Sequence, residues 1–141
     1  MKYTVAFREQ EEDFVIYARE RTPLLDRIEA LLQAERVLVG YRDEEAVCLS
    51  LDRLICFLVE GGRVFAVTDD GRFQVRERLY QLEARYGAEL VKIHQSCLVR
   101  VSRIRRFRTT VGGSLVVTLD GGFEDYVARR QVRTVKERLG L

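Results

Sequence analysis

The chain has 141 residues, of which 47% are hydrophobic and 33% charged, and its formal net charge is +2. This length fits one domain with at most a small appendage, and the composition supplies both an apolar core and a charged surface. No apolar stretch approaches the roughly 20 residues needed to cross a bilayer, and the N-terminus has no secretory signal pattern, so we expect a cytoplasmic protein.

Charge is distributed unevenly along the chain. Residues 1–62 hold eight Lys/Arg and thirteen Asp/Glu, a net charge of −5, whereas residues 63–141 hold sixteen and nine, a net charge of +7. A basic C-terminal half suits contact with a polyanion, and we expect the acidic N-terminal half to serve another purpose.

The first 48 residues predict two strands, a helix and part of a hairpin. Lys2–Phe7 alternates apolar and polar side chains, and Phe14–Ala18 is a second apolar run, so both are predicted strands. Thr22 followed by proline is typical of a helix start, and Pro23–Gln33 has the apolar stripe of an amphipathic helix. The stripe comprises Leu24, Leu25, Ile28, Leu31 and Leu32. Such a helix either covers a sheet of its own chain or faces a partner subunit.

From residue 37 onward, short apolar runs between turn signals indicate mostly β structure. The predicted strands include Val37–Tyr41, Ala46–Leu49, Arg63–Thr68, Ile104–Thr109, Leu115–Leu119 and Phe123–Val127. Helices are predicted at Val75–Tyr86 and around Val132–Leu139. The sequence Asp69-Asp70-Gly71 predicts a hairpin with the positive φ values of a type I′ turn. We therefore expect a mainly β fold with few helices.

The stretch Val91–Ile104 reads as strand on both sides of a polar break at Gln95-Ser96. Such a break is typical of a bulge or tight loop that turns amide and hydroxyl groups outward. No acidic residue occurs between Leu90 and Leu119, and unopposed positive charge beside hydrogen-bonding groups suits a nucleic-acid contact. The basic residues of this run are Lys92, Arg100, Arg103, Arg105, Arg106 and Arg108. The alternative is a solvated sheet edge guarded by cations.

Neither a metal site nor cysteine chemistry is expected from the sequence. Cys48, Cys56 and Cys97 are odd in number and embedded in apolar sequence, which favours small core side chains. A single histidine without a Cys-x-x-Cys motif argues against zinc. Along a continuous strand, a spacing of three puts His94 and Cys97 on opposite faces. We therefore expect no cofactor, no metal and no enzyme activity.

Four segments stand in order at compatible spacing: Leu51–Val64, Leu79–Glu83, Lys92–Val99 and Val127–Arg130. Together they resemble the LytTR DNA-binding domains of bacterial transcription regulators, over about Leu49–Leu141. The third segment is similar to the family's basic-x-His-x-Ser-aromatic-aliphatic-Val signature. The resemblance implies an elongated β fold whose loops enter successive major grooves. It divides the chain into an extension, residues 1–48, and a DNA-binding domain, residues 49–141.

The resemblance also implies which pieces approach DNA. They are Gly62-Arg63, His94-Gln95-Ser96 and Arg129-Arg130. The Gln95 amide can pair with adenine and the Arg130 guanidinium with guanine. The side chains suited to phosphate oxygens are Lys92, Ser96 and Arg129. Either Gly62 or Arg63 makes the first-loop contact, and His94 either touches DNA or braces its loop.

Three positions depart from the family pattern. Arg100 stands where the family usually has Asn, Cys97 where it usually has an aromatic residue, and Ala128 where it usually has Ser. The last change removes a potential phosphate donor. These departures bear on base preference and leave the expected fold unchanged.

We interpret the chain as a stand-alone transcription regulator that binds double-stranded DNA. Residues 1–48 are too short for the phosphoacceptor receiver domain that family members often carry. We expect this acidic extension to form a homodimer or to receive a signal from a regulatory protein, such as a membrane protein. The alternative is an interaction module of the same fold that sequesters a partner without binding DNA.

Overall fold

The computed structural model describes residues 18–34 and 37–141. The chain divides into two compact units, residues 1–35 and 36–141. The predicted strand Lys2–Phe7, and all but the last residue of the predicted strand Phe14–Ala18, lie outside the described residues.

The first unit contains helix α1, Pro23–Ala34, as the sequence predicts. The Leu25 backbone N–H donates to Thr22 Oγ1 at 3.2 Å, which caps the helix start. Arg21 lies beside this first turn and pairs with Asp26 and with Glu29, so the N-terminal end is held by both backbone and charged contacts.

The second unit is built on two antiparallel sheets. The larger has the strand order β2-β1-β5-β4-β3-β7-β6 and the smaller β10-β9-β8. The strands are β1 Leu38–Arg42, β2 Glu45–Leu49, β3 Leu54–Glu60, β4 Arg63–Thr68, β5 Gly71–Val75, β6 Leu90–His94, β7 Cys97–Arg100, β8 Ile104–Thr109, β9 Leu115–Leu119 and β10 Glu124–Val127. The expected mainly β fold is confirmed.

Two further helices complete this unit, α2 at Leu79–Arg85 and α3 at Arg129–Arg138. The helix predicted at Val75–Tyr86 therefore begins too early. Phe73 and Val75 are both buried and alternate with a less buried residue, and Val75 pairs with Val64 of β4. The alternation of buried and less buried side chains, which is typical of a strand, therefore decides the structure at Val75 in place of the helical pattern. No described helix is long and apolar enough to cross a membrane.

The hairpin predicted at Asp69-Asp70-Gly71 is present, but its turn is not of type I′. Only Gly71 of the three has a positive φ, 112°, and it already pairs with Thr68. Two adjacent positive angles, as a type I′ turn has, occur at Asp43, 49°, and Glu44, 67°, between β1 and β2, and again at Gly61 and Gly62 between β3 and β4.

Apolar side chains form two core clusters that the larger sheet separates by strand alternation. Phe57 belongs to the cluster that includes Leu82 of α2. Its neighbours Cys56 and Leu58 belong to the other cluster, which includes residues of β9, β10 and α3. Cys56 and Cys97 are fully buried, as predicted. Cys48 is exposed, contrary to prediction, because it lies on edge strand β2.

Candidate nucleic-acid interface

The first piece of the candidate interface is the turn between β3 and β4. Gly61 and Gly62 have φ values of 57° and 75°, a region that residues with a side chain rarely adopt. A Cβ at either position would meet nothing within 4 Å. The turn therefore offers bare, exposed backbone, and the exposed Arg63 begins the following strand.

The second piece is the two-residue turn Gln95-Ser96 between β6 and β7. The Val59 N–H donates to the Ser96 carbonyl at 2.8 Å and so fixes this turn beside the end of β3. Gln95 is exposed and Ser96 half-buried. The predicted outward turn of the polar groups at Gln95 is thus consistent with its exposure.

The third piece is the start of α3. The Ala128 N–H donates to the Ile93 carbonyl at 2.7 Å, which places the first turn of α3 beside the end of β6. Arg129 and Arg130 are the first two helical residues and both are exposed. The two backbone bonds bring the three predicted pieces together, and we call this region the turn end.

The turn end carries four predicted contact residues that are basic, and Glu83 lines the same groove as one of them, Lys92. The predicted contact residues Arg63, Lys92, Arg129 and Arg130 form no ion pair with another described residue. Lys92 is half-buried and lines a groove of about 360 Å³ together with Gly62, Gln95 and helix α2. Cations held near bare backbone in a groove suit phosphate binding.

His94 holds the turn end together. Its Nε2 lies 2.7 Å from Asp125 Oδ2 of β10, and its Nδ1 lies 3.1 Å from the Ser96 backbone nitrogen. The Ser96 N–H can only donate, so Nδ1 accepts and the ring proton resides on Nε2, which donates to Asp125. The ring also stacks on Tyr126, with centroids 4.5 Å apart. With both nitrogens engaged, the geometry favours the bracing role over direct DNA contact.

Sequence reasoning missed Asp125 and Tyr126. Both lie on β10, outside all four segments that carry the family resemblance. The register of β10 against β9, with Asp125 opposite Val117, contains no signal for a partner on β6. Only the tertiary packing of the two sheets reveals this contact.

The expectation that His94 and Cys97 point to opposite faces is wrong. The turn Gln95-Ser96 interrupts the strand, so His94 and Cys97 become direct partners across antiparallel strands, and such partners share a face. A hydrogen bond to the Cys56 thiol, burial, and the charge of Asp125 raise the pKa of the Cys97 thiol well above its usual range. Cys97 is therefore a neutral thiol and a poor nucleophile.

The expectation of unopposed charge between Leu90 and Leu119 is also wrong for most of that run. Its basic side chains pair with carboxylates that are distant in sequence. The pairs are Arg100 with Asp52, Arg103 with Asp69 and Asp120, Arg105 with Asp120, and Arg108 with Glu124. Lys92 and Arg106 alone of the run form no ion pair with a described residue. A stretch of sequence without acidic residues can therefore still have carboxylates from other segments beside it in the folded protein.

The family model of the LytTr DNA-binding domain matches residues 44–140. Two Staphylococcus aureus proteins, from strains NCTC 8325 / PS 47 and COL, are named as uncharacterized HTH-type transcriptional regulators. Each is 29% identical to this chain over 110 residues, which cover 78% of this chain and 75% of the relative. A solved LytTr DNA-binding domain from Bacillus cereus has a TM-score of 0.70 at 12% identity, covering 76% of this chain and 99% of that one. The last comparison shows a common fold.

Proposed function

Because this chain belongs to the LytTr DNA-binding domain family, we propose that it regulates transcription by binding double-stranded DNA through its turn end, without catalysing a reaction. The observation that carries the proposal is the convergence of three separate segments at that end, joined by backbone hydrogen bonds of 2.8 and 2.7 Å. Its cations remain available to phosphates, and the names of the staphylococcal relatives point to the same role.

Two turns and the N-terminal end of α3, not a helix-turn-helix unit, are proposed to contact the grooves. In the described part of the chain no two helices are joined by a short turn, because α1 precedes β1 and strands β6 to β10 separate α2 from α3. Helix α2 has only seven residues. The helix-turn-helix geometry suggested by the relatives' names therefore has no counterpart among these elements.

Within the turn end, base reading is assigned to Gln95 and Arg130. Both are exposed and carry planar groups that can make two hydrogen bonds to one base edge. Lys92, Ser96 and Arg129 are assigned to phosphates, where a charge or a single donor suffices. Lys92→Ala should then weaken binding to all sequences alike and lower the salt slope by about one unit.

The first loop is proposed to use both of its candidate residues. Gly62 lets the backbone approach the phosphates closely, since no side chain stands in the way. Arg63, exposed at the start of β4, then supplies a charged donor. Gly62→Ala should weaken binding through backbone strain at its φ of 75°, even though space is available.

The test is duplex binding by the full chain across a salt series, on a site first selected from a random library. We expect affinity to fall steeply with salt and Arg130→Ala to weaken the selected site by about 1–3 kcal/mol. Arg105→Ala is the matched control, because it removes an equal charge from an arginine that already pairs with Asp120. Equal losses for both variants, or no binding by folded wild-type protein, would refute the proposed interface. The second outcome would favour the interaction module.

Residues 1–48 are proposed to form a homodimer, which would let two turn ends read two half-sites. The support is the apolar stripe of α1. A helix that is surrounded by solvent has no need of such a stripe, whereas a helix that packs against a partner does. Light scattering at tens of micromolar protein, free and on a two-half-site duplex, tests this. A monomer in both conditions would contradict it.

A further inference from the structure

We propose that His94, Cys97 and Asp125 form a binding site for a divalent transition-metal ion of the zinc type. Their potential ligand atoms, an imidazole nitrogen, a thiol sulfur and a carboxylate oxygen, all lie within 4.8 Å of one another. These are three of the donor types that zinc takes in proteins. The site departs from the expectation, drawn from the sequence, that His94 and Cys97 lie apart.

The separations suit metal binding after small side-chain shifts. Zinc–ligand bonds of about 2.0–2.3 Å in tetrahedral geometry place neighbouring ligand atoms roughly 3.3–3.6 Å apart. His94 Nε2 and Asp125 Oδ2, now 2.7 Å apart, would separate slightly as an ion replaces the shared proton. The Asp125 side chain is 26% exposed and can make that shift more easily than the less exposed His94 and Cys97, which flank the turn Gln95-Ser96. Water would take the fourth position.

The surroundings favour a thiolate once a cation is present. Cys97 is fully buried, and the charge of Asp125 faces it, so the thiol holds its proton in the ion's absence. A divalent ion compensates both the burial and the carboxylate charge. Cys56 is the largest cause of the raised pKa of Cys97, and its thiol can donate to the Cys97 sulfur after that sulfur ionises.

The proton balance is simple. The Cys97 S–H bond breaks, its proton leaves to solvent, and the sulfur lone pair forms the metal bond. The His94 Nε2 lone pair forms a second metal bond after its proton leaves. Since the ring stays neutral, one proton returns from solvent to Nδ1. Each ion bound therefore releases one proton overall, with no oxidation or reduction.

This tautomer change couples the metal to the turn Gln95-Ser96. Nδ1 now accepts the Ser96 N–H at 3.1 Å, but a protonated Nδ1 would point its own hydrogen at that N–H. The two donors repel, so the Ser96 amide must leave the ring. The neighbouring Gln95 then moves from its present position. An effect on DNA rests on the proposed function, whereas the site itself does not.

The first experiment uses Co²⁺ as an optical probe on the full chain. Cobalt bound to a thiolate should give a ligand-to-metal charge-transfer band that is unchanged in Cys48→Ala, the matched control at the exposed cysteine. The band should be lost in Cys97→Ala. Asp125→Asn, which keeps the shape of a partly exposed side chain, should weaken cobalt binding about tenfold or more. A missing band in wild-type protein, or one that survives Cys97→Ala, overturns the site.

The second experiment follows the Ser96 amide by NMR during Zn²⁺ titration. We expect its resonance to move in wild-type protein and to stay fixed in Cys97→Ala. In parallel, Zn²⁺ should weaken binding to the selected duplex about tenfold or more, since one base contact is displaced. A bound metal that leaves the Ser96 resonance or the duplex affinity unchanged would overturn the coupling. If Ser96 responds but no duplex binds under any condition, the metal site stands and the proposed DNA function fails.

Discussion

The two ends of strand β3 use arginine in opposite ways. Beyond Glu60 lies the turn end, where Arg63, Arg129 and Arg130 make no ion pair with a described residue. Before Leu54 lies what we call the network end, made of Arg53, Arg103 and Arg105 with Asp69, Asp70 and Asp120. The arginines of the turn end form no ion pair with a described residue, whereas those of the network end are paired with carboxylates.

The network end connects loops that are far apart in sequence. Arg103 donates to Asp69 at 2.6 Å, to Asp120 at 3.1 Å and to the Asp52 carbonyl at 2.7 Å. Hydrogen bonds from Arg103 lower the pKa of Asp69, and those from Arg105 and Arg103 lower that of Asp120. The comparison shows that an arginine's role depends on its spatial partners, which a count along the chain does not reveal.

The largest expected effect falls at the turn end. Gln95→Ala should cost about 1–3 kcal/mol on the selected duplex and little on a scrambled one, because it removes base contacts. Lys92→Ala should instead cost similar amounts on both and change the salt slope. Titrations of both duplexes at several salt concentrations measure this. If Gln95→Ala and Lys92→Ala lose the same affinity on both duplexes with the same change in salt slope, the assignment of Gln95 to bases and Lys92 to phosphates is wrong.

A smaller effect, on stability, is expected at the network end. Arg103→Ala should lower the free energy of unfolding by about 1–2 kcal/mol, because the carboxylates of Asp69 and Asp120 and the Asp52 carbonyl lose their hydrogen bonds from Arg103. Duplex affinity of the folded variant should not change. Arg106→Ala is the control, an exposed arginine on β8 without an ion pair to a described residue. Urea unfolding curves that coincide for the two variants would contradict a structural network.

Asp125→Asn tests the brace that links the turn end to the smaller sheet. The amide cannot accept the Nε2–H of His94 as strongly as a carboxylate, so the turn should loosen. We expect about a fivefold loss of affinity for the selected duplex, roughly 1 kcal/mol. The control is Glu124→Gln, which removes one negative charge at the neighbouring residue but leaves the His94–Asp125 hydrogen bond in place. It should not lower the affinity for the duplex. A larger loss for Glu124→Gln than for Asp125→Asn would assign the effect to charge and not to the brace.

The smallest effect is expected in acid. Ion pairs lower the pKa values of Asp69 and Asp120, so their stabilisation is present above the unfolded pKa near 4 and is lost as pH falls through the folded values. The unfolding midpoint should be flat from about pH 7 to 5 and then decrease. Asp120→Asn should flatten the decrease, whereas Asp43→Asn, outside the network, should not. If the unfolding midpoint falls equally in the wild-type protein, Asp120→Asn and Asp43→Asn, the ion pairs of Asp120 are not the cause of the decrease.

The fold class could be predicted because it depends on local pattern, and the family resemblance indicated three segments that the structure brings together; their contact with DNA stays a prediction. Alternation identifies strands, and the segments around His94 and Arg130 keep the family order. Pairing across the sheets could not be predicted in this way. The contact of His94 with Asp125 spans 31 residues, and that of Arg103 with Asp69 spans 34. The misplaced start of α2 has a related cause, since burial of Val75 depends on its partner strand.

The backbone hydrogen bonds donated by Val59 and Ala128 bear on how much conformational entropy the turn end would lose on binding a ligand. Val59 of β3 donates to the Ser96 carbonyl in the turn Gln95-Ser96, and Ala128, just before α3, donates to the Ile93 carbonyl of β6. Their two amides should therefore exchange slowly with deuterated solvent before any ligand is added. A surface ordered in this way loses little conformational entropy on docking, so more of its contact energy appears as affinity.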